Sequence, residues 1–311
     1  MRYIVTGGAG FIGSHIVEAL AERGDEVVVI DNLLTGTLEN IQPFFAKKNV
    51  RFVRGSITDP ALCRDLFASA DGVFHQAAIP SVPRSVADPL ATNEANVTGT
   101  LSVLVAARDC RVPSVIFASS SAVYGDAPEL PKHEGMTPAP LSPYAVSKLA
   151  GEQYMNVFSR MHGVRTVSLR YFNVFGPRQD PTSQYAAVIP AFITSILSRR
   201  SPTIHGDGGQ TRDFTYVKDV VQANIRAMES KAQGVFNVAY CQRISVKELA
   251  ALIMEITGTS VPLLFEPSRA GDIRDSLADI SRAKGAFGYK PEYTIKSGLE
   301  ETVDWFKKQP R

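Results

Sequence analysis

A chain of 311 residues with 44% hydrophobic side chains is long enough to bury one large core or two modest ones. Its 33 Lys and Arg against 31 Asp and Glu leave a formal charge of +2, scattered along the sequence, which gives no electrostatic case for nucleic acid. No apolar run is long enough to cross a bilayer, the N-terminus opens directly on a strand-like run without a signal peptide, and Cys63, Cys110 and Cys241 form no CxxC pair, so a cytoplasmic protein with idle thiols is expected.

In chain order, the first strand candidate is Arg2–Thr6, followed by Gly7-Gly8-Ala9-Gly10-Phe11-Ile12-Gly13 and a helical pattern over Phe11–Arg23. Glycines here let the backbone turn tightly and approach a pyrophosphate, which the N–H groups and dipole of the helix N-terminus then hold. The glycines fit two frames, Gly8/Gly10/Gly13 and Gly7/Gly10/Gly13. The next strand, Glu26–Ile30, ends in Asp31-Asn32. A carboxylate there accepts from both hydroxyls of an adenosine ribose and repels a 2′-phosphate, and no Lys or Arg follows nearby, so NAD is favoured over NADP. A carboxylate that merely caps the strand is the plainer alternative.

Strands over Val50–Arg54, Gly72–His75, Ser114–Ala118 and Arg165–Arg170 alternate with helices over Asp59–Ala68, Thr92–Arg108 and Tyr144–Met161. This alternation predicts a Rossmann-type, doubly wound parallel sheet of the α/β class. The strand from Ser114 runs into Ser119-Ser120-Ser121-Ala122-Val123-Tyr124-Gly125, at the edge where such sheets bind ligands. Tyr144 and Lys148, four apart, share one helix face. A phenol with a pKa near ~10 is a poor base at neutral pH, but a neighbouring cation favours the phenolate. The five histidines, at 15, 75, 133, 162 and 205, have neither metal nor triad spacing, so no metal is expected.

Beyond Arg170 the rhythm changes to a segment rich in Pro, Gly and aromatics, with helices at Val188–Ser198, Val246–Thr257 and Ser297–Lys307 and a strand at Val235–Ala239. The expected division is a nucleotide-binding domain of residues 1–170 plus about 214–239, and a smaller, discontinuous α/β substrate-binding domain of about 171–213 plus 240–311.

The set TGGAGFIG, Asp31-Asn32, SSSAVYG, YAVSK and RYFNVFGPRQDP resembles the extended short-chain dehydrogenase/reductase family over essentially the whole chain. Within it, the chain is similar to the UDP-glucose and UDP-N-acetylglucosamine 4-epimerases. The resemblance implies Tyr144 as general base and acid, Lys148 on the nicotinamide ribose, and Ser120 in the catalytic Ser/Thr position with Ser121 beside the sugar. It places Gly7, Gly10, Phe11 and Ile12 on the pyrophosphate of NAD, and Asp31, Asn32, Leu33, Thr35 and Gly36 around the adenosine ribose. Gln76, Ala77 and Ala78 would line the cofactor, with Asn96 and Phe172 nearby. Ser56 and Ile57 are also implied on the cofactor; Ser56 stands where related enzymes often carry an Asp facing adenine and can still hydrogen-bond.

For the substrate, a UDP-sugar, the resemblance implies Asn173 on diphosphate or sugar, and Val188, Thr203 and His205 around uracil. Arg212 and Arg269 would clamp the diphosphate, with Asp272 on the nucleoside ribose. Related dehydratases carry an acidic pair where this chain has Ser121 and Ala122, so elimination is not expected. Related decarboxylases usually have a Glu in this loop; a UDP-glucuronate or pentose epimerase stays open. A catalytically silent NAD-binding regulator would need the Ser, Tyr or Lys lost. Ser276, small where some relatives place a Tyr, leaves room for an N-acetyl group. A homodimer paired through the Thr92–Arg108 and Tyr144–Met161 helices is also implied.

Overall fold

The computed structural model describes residues 1–181, 187–267 and 274–309. Six strands come first: β1 (Arg2–Thr6), β2 (Glu26–Asp31), β3 (Val50–Arg54), β4 (Gly72–His75), β5 (Ser114–Ser120) and β6 (Arg165–Tyr171). Four short strands follow, β7 (Val174–Phe175), β8 (Thr203–His205), β9 (Thr211–Asp213) and β10 (Thr215–Tyr216). The last three are β11 (Gly234–Val238), β12 (Arg243–Ser245) and β13 (Leu264–Glu266). The helices are α1 (Phe11–Glu22), α2 (Pro60–Phe67), α3 (Val82–Ala87), α4 (Pro89–Asn93), α5 (Gly99–Asp109), α6 (Pro143–His162), α7 (Val188–Leu197), α8 (Val217–Glu229), α9 (Val246–Thr257), α10 (Ser281–Phe287) and α11 (Ile295–Lys307).

Seven strands form one parallel sheet in the order β11-β6-β5-β4-β1-β2-β3. Strands buried on both faces read as unbroken β-branched and aromatic runs, and RYIVT and GVFH do so here. Crossovers leave β1 and β4 in opposite directions, which opens a crevice at their carboxyl ends. On one face Ile16, Val17 and Leu20 of α1 meet Val220, Ala223 and Ala227 of α8. On the other, Leu66 and Phe67 of α2, Val103 and Leu104 of α5, and Met155 and Phe158 of α6 close the core. A separate cluster joins Phe192 and Ile193 of α7, Leu249 and Ile253 of α9, and Leu299 and Val303 of α11. Ala283, Phe287 and Tyr289, in and just after α10, pack into the sheet's own core.

The expected long helix over Thr92–Arg108 is three pieces: α4, a π turn over Glu94–Thr98, and α5. The wide turn carries Asn96, whose amide nitrogen donates to the Ser147 hydroxyl on α6 while its oxygen accepts from Ile79 N–H. Such bulges recur at functional sites. α3, α8 and α10 were not among the expected helices, and β11 lies one residue earlier than the expected strand. Among the described residues no helix is long and apolar enough to cross a membrane, and no cluster of His, Cys, Asp or Glu could hold a metal ion.

Candidate active site

The site begins at the end of β1. Gly7 takes φ +69°, in the left-handed region, and a Cβ on Gly13 would lie 2.1 Å from the Gly7 carbonyl oxygen. The frame with Gly7 at the turn and Gly13 at the close approach is therefore the one the loop uses. α1 starts from Gly10 with no side chain capping it and no acidic residue in its first turn. Its leading N–H groups stay available to an anion, as a bound pyrophosphate requires. Phe11 and Ile12 are the first two residues of that turn.

Asp31 is only 8% exposed and braces the same loop: Ala9 N–H donates to one carboxylate oxygen at 3.0 Å and Leu33 N–H to the other at 2.8 Å. Burial raises its pKa, and these two bonds pull it back. The carboxylate thus caps the loop as well as facing the crevice, since each oxygen retains acceptor capacity for a ribose hydroxyl. Asn40, which the motifs did not flag, donates to Ala9 O at 2.9 Å, and Thr37 N–H reaches the same carbonyl. On β4's side, Gln76 and Ala77 sit against the glycine turn: a Cβ on Gly7 would meet Ala77 at 2.6 Å. Gln76 is fixed by Asn224 and Tyr171. Beneath them His75 bridges Thr6 at 2.7 Å and Thr100 at 2.9 Å. Burial, with the Lys148 cation adding to it, drops the His75 pKa to about 3 and keeps the ring neutral.

The Ser56 hydroxyl lies 2.7 Å from that of Thr58, and Ile57 is 7% exposed in the core. Phe172 is fully buried, packed against Tyr124, so its side chain supports the site from behind.

The second group gathers where β5 ends. Ser142 caps α6 by accepting from Ala145 N–H, with Pro143 in the first position, so Tyr144 falls in the first turn. Ser85 of α3 accepts from Tyr144 N–H at 3.0 Å and ties that turn down. Burial raises the Tyr144 phenol, and a hydrogen bond with Ser120 offsets part of the rise. Lys148 donates to Ala118 O at 2.8 Å and lies 5.9 Å from the centre of the Tyr144 ring. Burial lowers its ammonium to about 7, so Tyr144 gains a neighbour whose charge responds to neutral pH. Ser120 also accepts from Ala122 N–H, which holds the Ser121–Tyr124 turn against the strand.

The third group lines a cavity of about 380 Å³. Asn173, Val188, Thr203, His205 and Arg212, drawn from four separate stretches of sequence, all face it. Asn173 takes φ 32° and donates to Asp213 O at 3.0 Å. Arg212 donates to Thr211 O at 2.9 Å and Arg274 O at 3.2 Å, which orients its guanidinium at the rim. The wall also includes Val82 and Pro83 of α3, Gln210, Phe214 and Val246, which no motif indicated. Of these only Ser81-Val82-Pro83 carries a readable signal, a capping Ser with Pro just inside a helix. Ser276 is not on that wall: half-buried, it donates its N–H to Thr211 O, one residue from Arg212. Arg269 and Asp272 lie outside the described residues.

Sheet order, uncapped glycine-loop helix and the Tyr144–Lys148 face together make this an extended short-chain dehydrogenase/reductase. More narrowly, the chain belongs to the NAD dependent epimerase/dehydratase family, whose model matches residues 3–239. It is 40% identical over 310 residues to a putative UDP-glucose 4-epimerase of Methanocaldococcus jannaschii, covering 99% of both chains. It is similar to the structure of a UDP-N-acetylglucosamine 4-epimerase from Methanobrevibacter ruminantium in complex with UDP-N-acetylmuramic acid, with TM-score 0.95, 43% identity and 98% of each chain covered. A UDP-glucose 4-epimerase of Thermotoga maritima with UDP-glucose gives TM-score 0.94 at 39% identity, with 99% of each chain covered.

Proposed function

We propose that the chain interconverts the C4 epimers of UDP-hexoses, UDP-glucose/UDP-galactose and UDP-N-acetylglucosamine/UDP-N-acetylgalactosamine, through a transient 4-keto sugar. The observation that carries this reading is a shared wall. Val82 and Pro83 of α3 line the cavity expected to hold the nucleotide, while Ser85 of the same helix fixes the backbone of Tyr144. A sugar projecting from that cavity would arrive at the Ser120–Tyr144–Lys148 cluster.

The glycine loop fits NAD, because its turn is too tight for side chains and its helix N-terminus is open. Bound NAD would supply the hydride acceptor and donor for the sugar carbon and a positive ring charge. Tyr144 takes the 4-OH proton and later returns it, Ser120 completes the hydrogen-bonded path, and the Lys148 ammonium favours the phenolate. Arg212 holds the diphosphate while the sugar turns, and Asn173 and His205 orient the nucleotide. With Ser121 and Ala122 after Ser120, no carboxyl group assists elimination, so the keto sugar is reduced again on its other face.

Acceptance of the N-acetylated pair is inferred from Ser276, small where some relatives carry Tyr and bonded through its N–H to Thr211, the neighbour of Arg212, although it lies off the cavity wall itself. Replacing it with Tyr is expected to lower kcat/KM for UDP-N-acetylglucosamine by at least about tenfold, while UDP-glucose is largely spared. Equal losses on both pairs would overturn that assignment. We also infer a homodimer, because Val86, Leu90, Val146, Val157 and Met161 of α3, α4 and α6 leave apolar side chains exposed. Sedimentation at micromolar concentration reads the mass, and a single-chain mass would contradict the pairing.

A further inference from the structure

Two turns below Tyr144 on α6 lies a buried ion pair that the proton chemistry itself does not use. Glu152 and Arg170 are each 3% exposed, and the pairing is bidentate: Arg170 Nε donates to Glu152 Oε1 at 2.8 Å and Nη2 to Oε2 at 2.7 Å. The Ser119 hydroxyl donates to the same Oε1 at 2.5 Å. One carboxylate therefore joins three elements: α6, the end of β5 next to Ser120, and the end of β6. The guanidinium also lies 4.6 Å from the centre of the Tyr124 ring, and the Tyr124 hydroxyl donates to Asn237 Oδ1 at 2.7 Å. Tyr124 closes the same turn that Ser120 opens. Arg170 Nη1 is buried without a hydrogen-bond partner among the described residues.

As a means of stabilising the fold this arrangement is poor. Desolvating two charges commonly costs more than their attraction returns, and apolar residues of similar volume do as well or better. What the arrangement does provide is a fixed relation in space. Tyr144, Lys148 and Glu152 recur every four residues along one helix face, so whatever pins Glu152 also sets how far the first turn of α6 stands from the end of β5.

We propose that Glu152 and Arg170 are positioning residues, which register the Tyr144–Lys148 face of α6 against Ser120 and so set the geometry of proton transfer. The inference rests on the roles given above to Ser120, Tyr144 and Lys148. A misplacement of about 1 Å in such a constellation costs on the order of a hundredfold in rate.

The test is the full-length enzyme with NAD bound, carrying Glu152→Met and Arg170→Met together. UDP-glucose and UDP-N-acetylglucosamine serve as substrates, and melting temperature and bound NAD are followed beside kcat and KM. The expected result is a folded, NAD-loaded protein with kcat down roughly ten- to a hundredfold. KM should be unchanged, and the rising limb of the pH–kcat profile should move to higher pH, because a phenol drawn away from Ser120 loses the hydrogen bond that lowers its pKa. A folded double variant with the wild-type kcat and pH profile would overturn the proposal. Should the double variant not fold, Arg170→Lys decides on the same readouts, since it keeps a buried charge opposite Glu152 and removes the bidentate fork that fixes the carboxylate. A severalfold loss in kcat with unchanged KM supports the proposal, and an unchanged kcat overturns it. Tyr144→Phe in the wild-type background, run alongside, separates this outcome from a failure of the underlying reading, because an active Tyr144→Phe protein would remove the group being positioned.

Discussion

Replacing Tyr144 with Phe is expected to cut epimerisation by on the order of 10²–10⁴-fold while NAD stays bound. The substitution removes one oxygen and leaves the ring that fills the space, so packing around α6 and the Lys148–Ala118 bond should persist. The phenol is half-buried, pairs with Ser120, and has the ammonium near its ring, which is the environment a proton-transferring tyrosine needs. No other described group at this position combines a titratable proton with that contact. Turnover against both sugar pairs and NAD recovered from the denatured protein read the result together. Full activity in the variant would take the proton chemistry away from Tyr144.

Gly13→Ala is expected to abolish activity by a different route, through loss of NAD. Its Cβ would fall 2.1 Å from the Gly7 carbonyl oxygen, backbone against backbone, so no side chain can give way. The loop must open, which misdirects the first N–H groups of α1 and loosens Asp31's hold on Ala9. Overpacking of this kind also costs about 1–3 kcal/mol of stability. Gly285→Ala is the matched control, since nothing stands within 4 Å of a Cβ there and Gly285 lies inside α10. The variant at 13 should purify without NAD and melt lower, and the variant at 285 should keep both properties. An NAD-loaded Gly13→Ala protein would mean the loop tolerates more than its geometry allows.

Local signals made the sheet half of the molecule legible. β1, β3 and β4 end where the sequence changes from β-branched and aromatic residues to Gly, Ser or Gln, and α6 starts at a Ser-Pro cap that any reader can find. Elements built by distant pairing were not legible. β9 exists because it pairs with β12, and β8 because it pairs with β13, and at three residues none has a periodicity to detect. The π turn at 94–98 hid inside an apolar pattern that runs on through it; only the Asn96–Ile79–Ser147 bonds reveal why the helix widens.

The site divides along the same line. The glycine loop, Asp31, Ser120, Tyr144 and Lys148 stand on contiguous motifs at strand ends, where the chemistry can be read from neighbours in sequence. That Asn173, Val188, Thr203, His205 and Arg212 face one cavity rests on folding that brings β8, β9 and α7 together, and spacing alone carries no trace of it. Asn40 and Ser85 act on backbone atoms far from them in sequence, so nothing about their own surroundings marks them. Ser56 spends its hydroxyl on Thr58, two residues away, a turn that competes with any role toward adenine.

The most direct test of the central claim is to incubate the purified protein, with no added cofactor, with UDP-glucose and separately with UDP-N-acetylglucosamine, and to separate the C4 epimers. Both mixtures should move to equilibrium with UDP-galactose and UDP-N-acetylgalactosamine, without net formation of NADH or loss of carbon dioxide. No epimer from either sugar, or accumulation of a dehydrated or decarboxylated product, would contradict it.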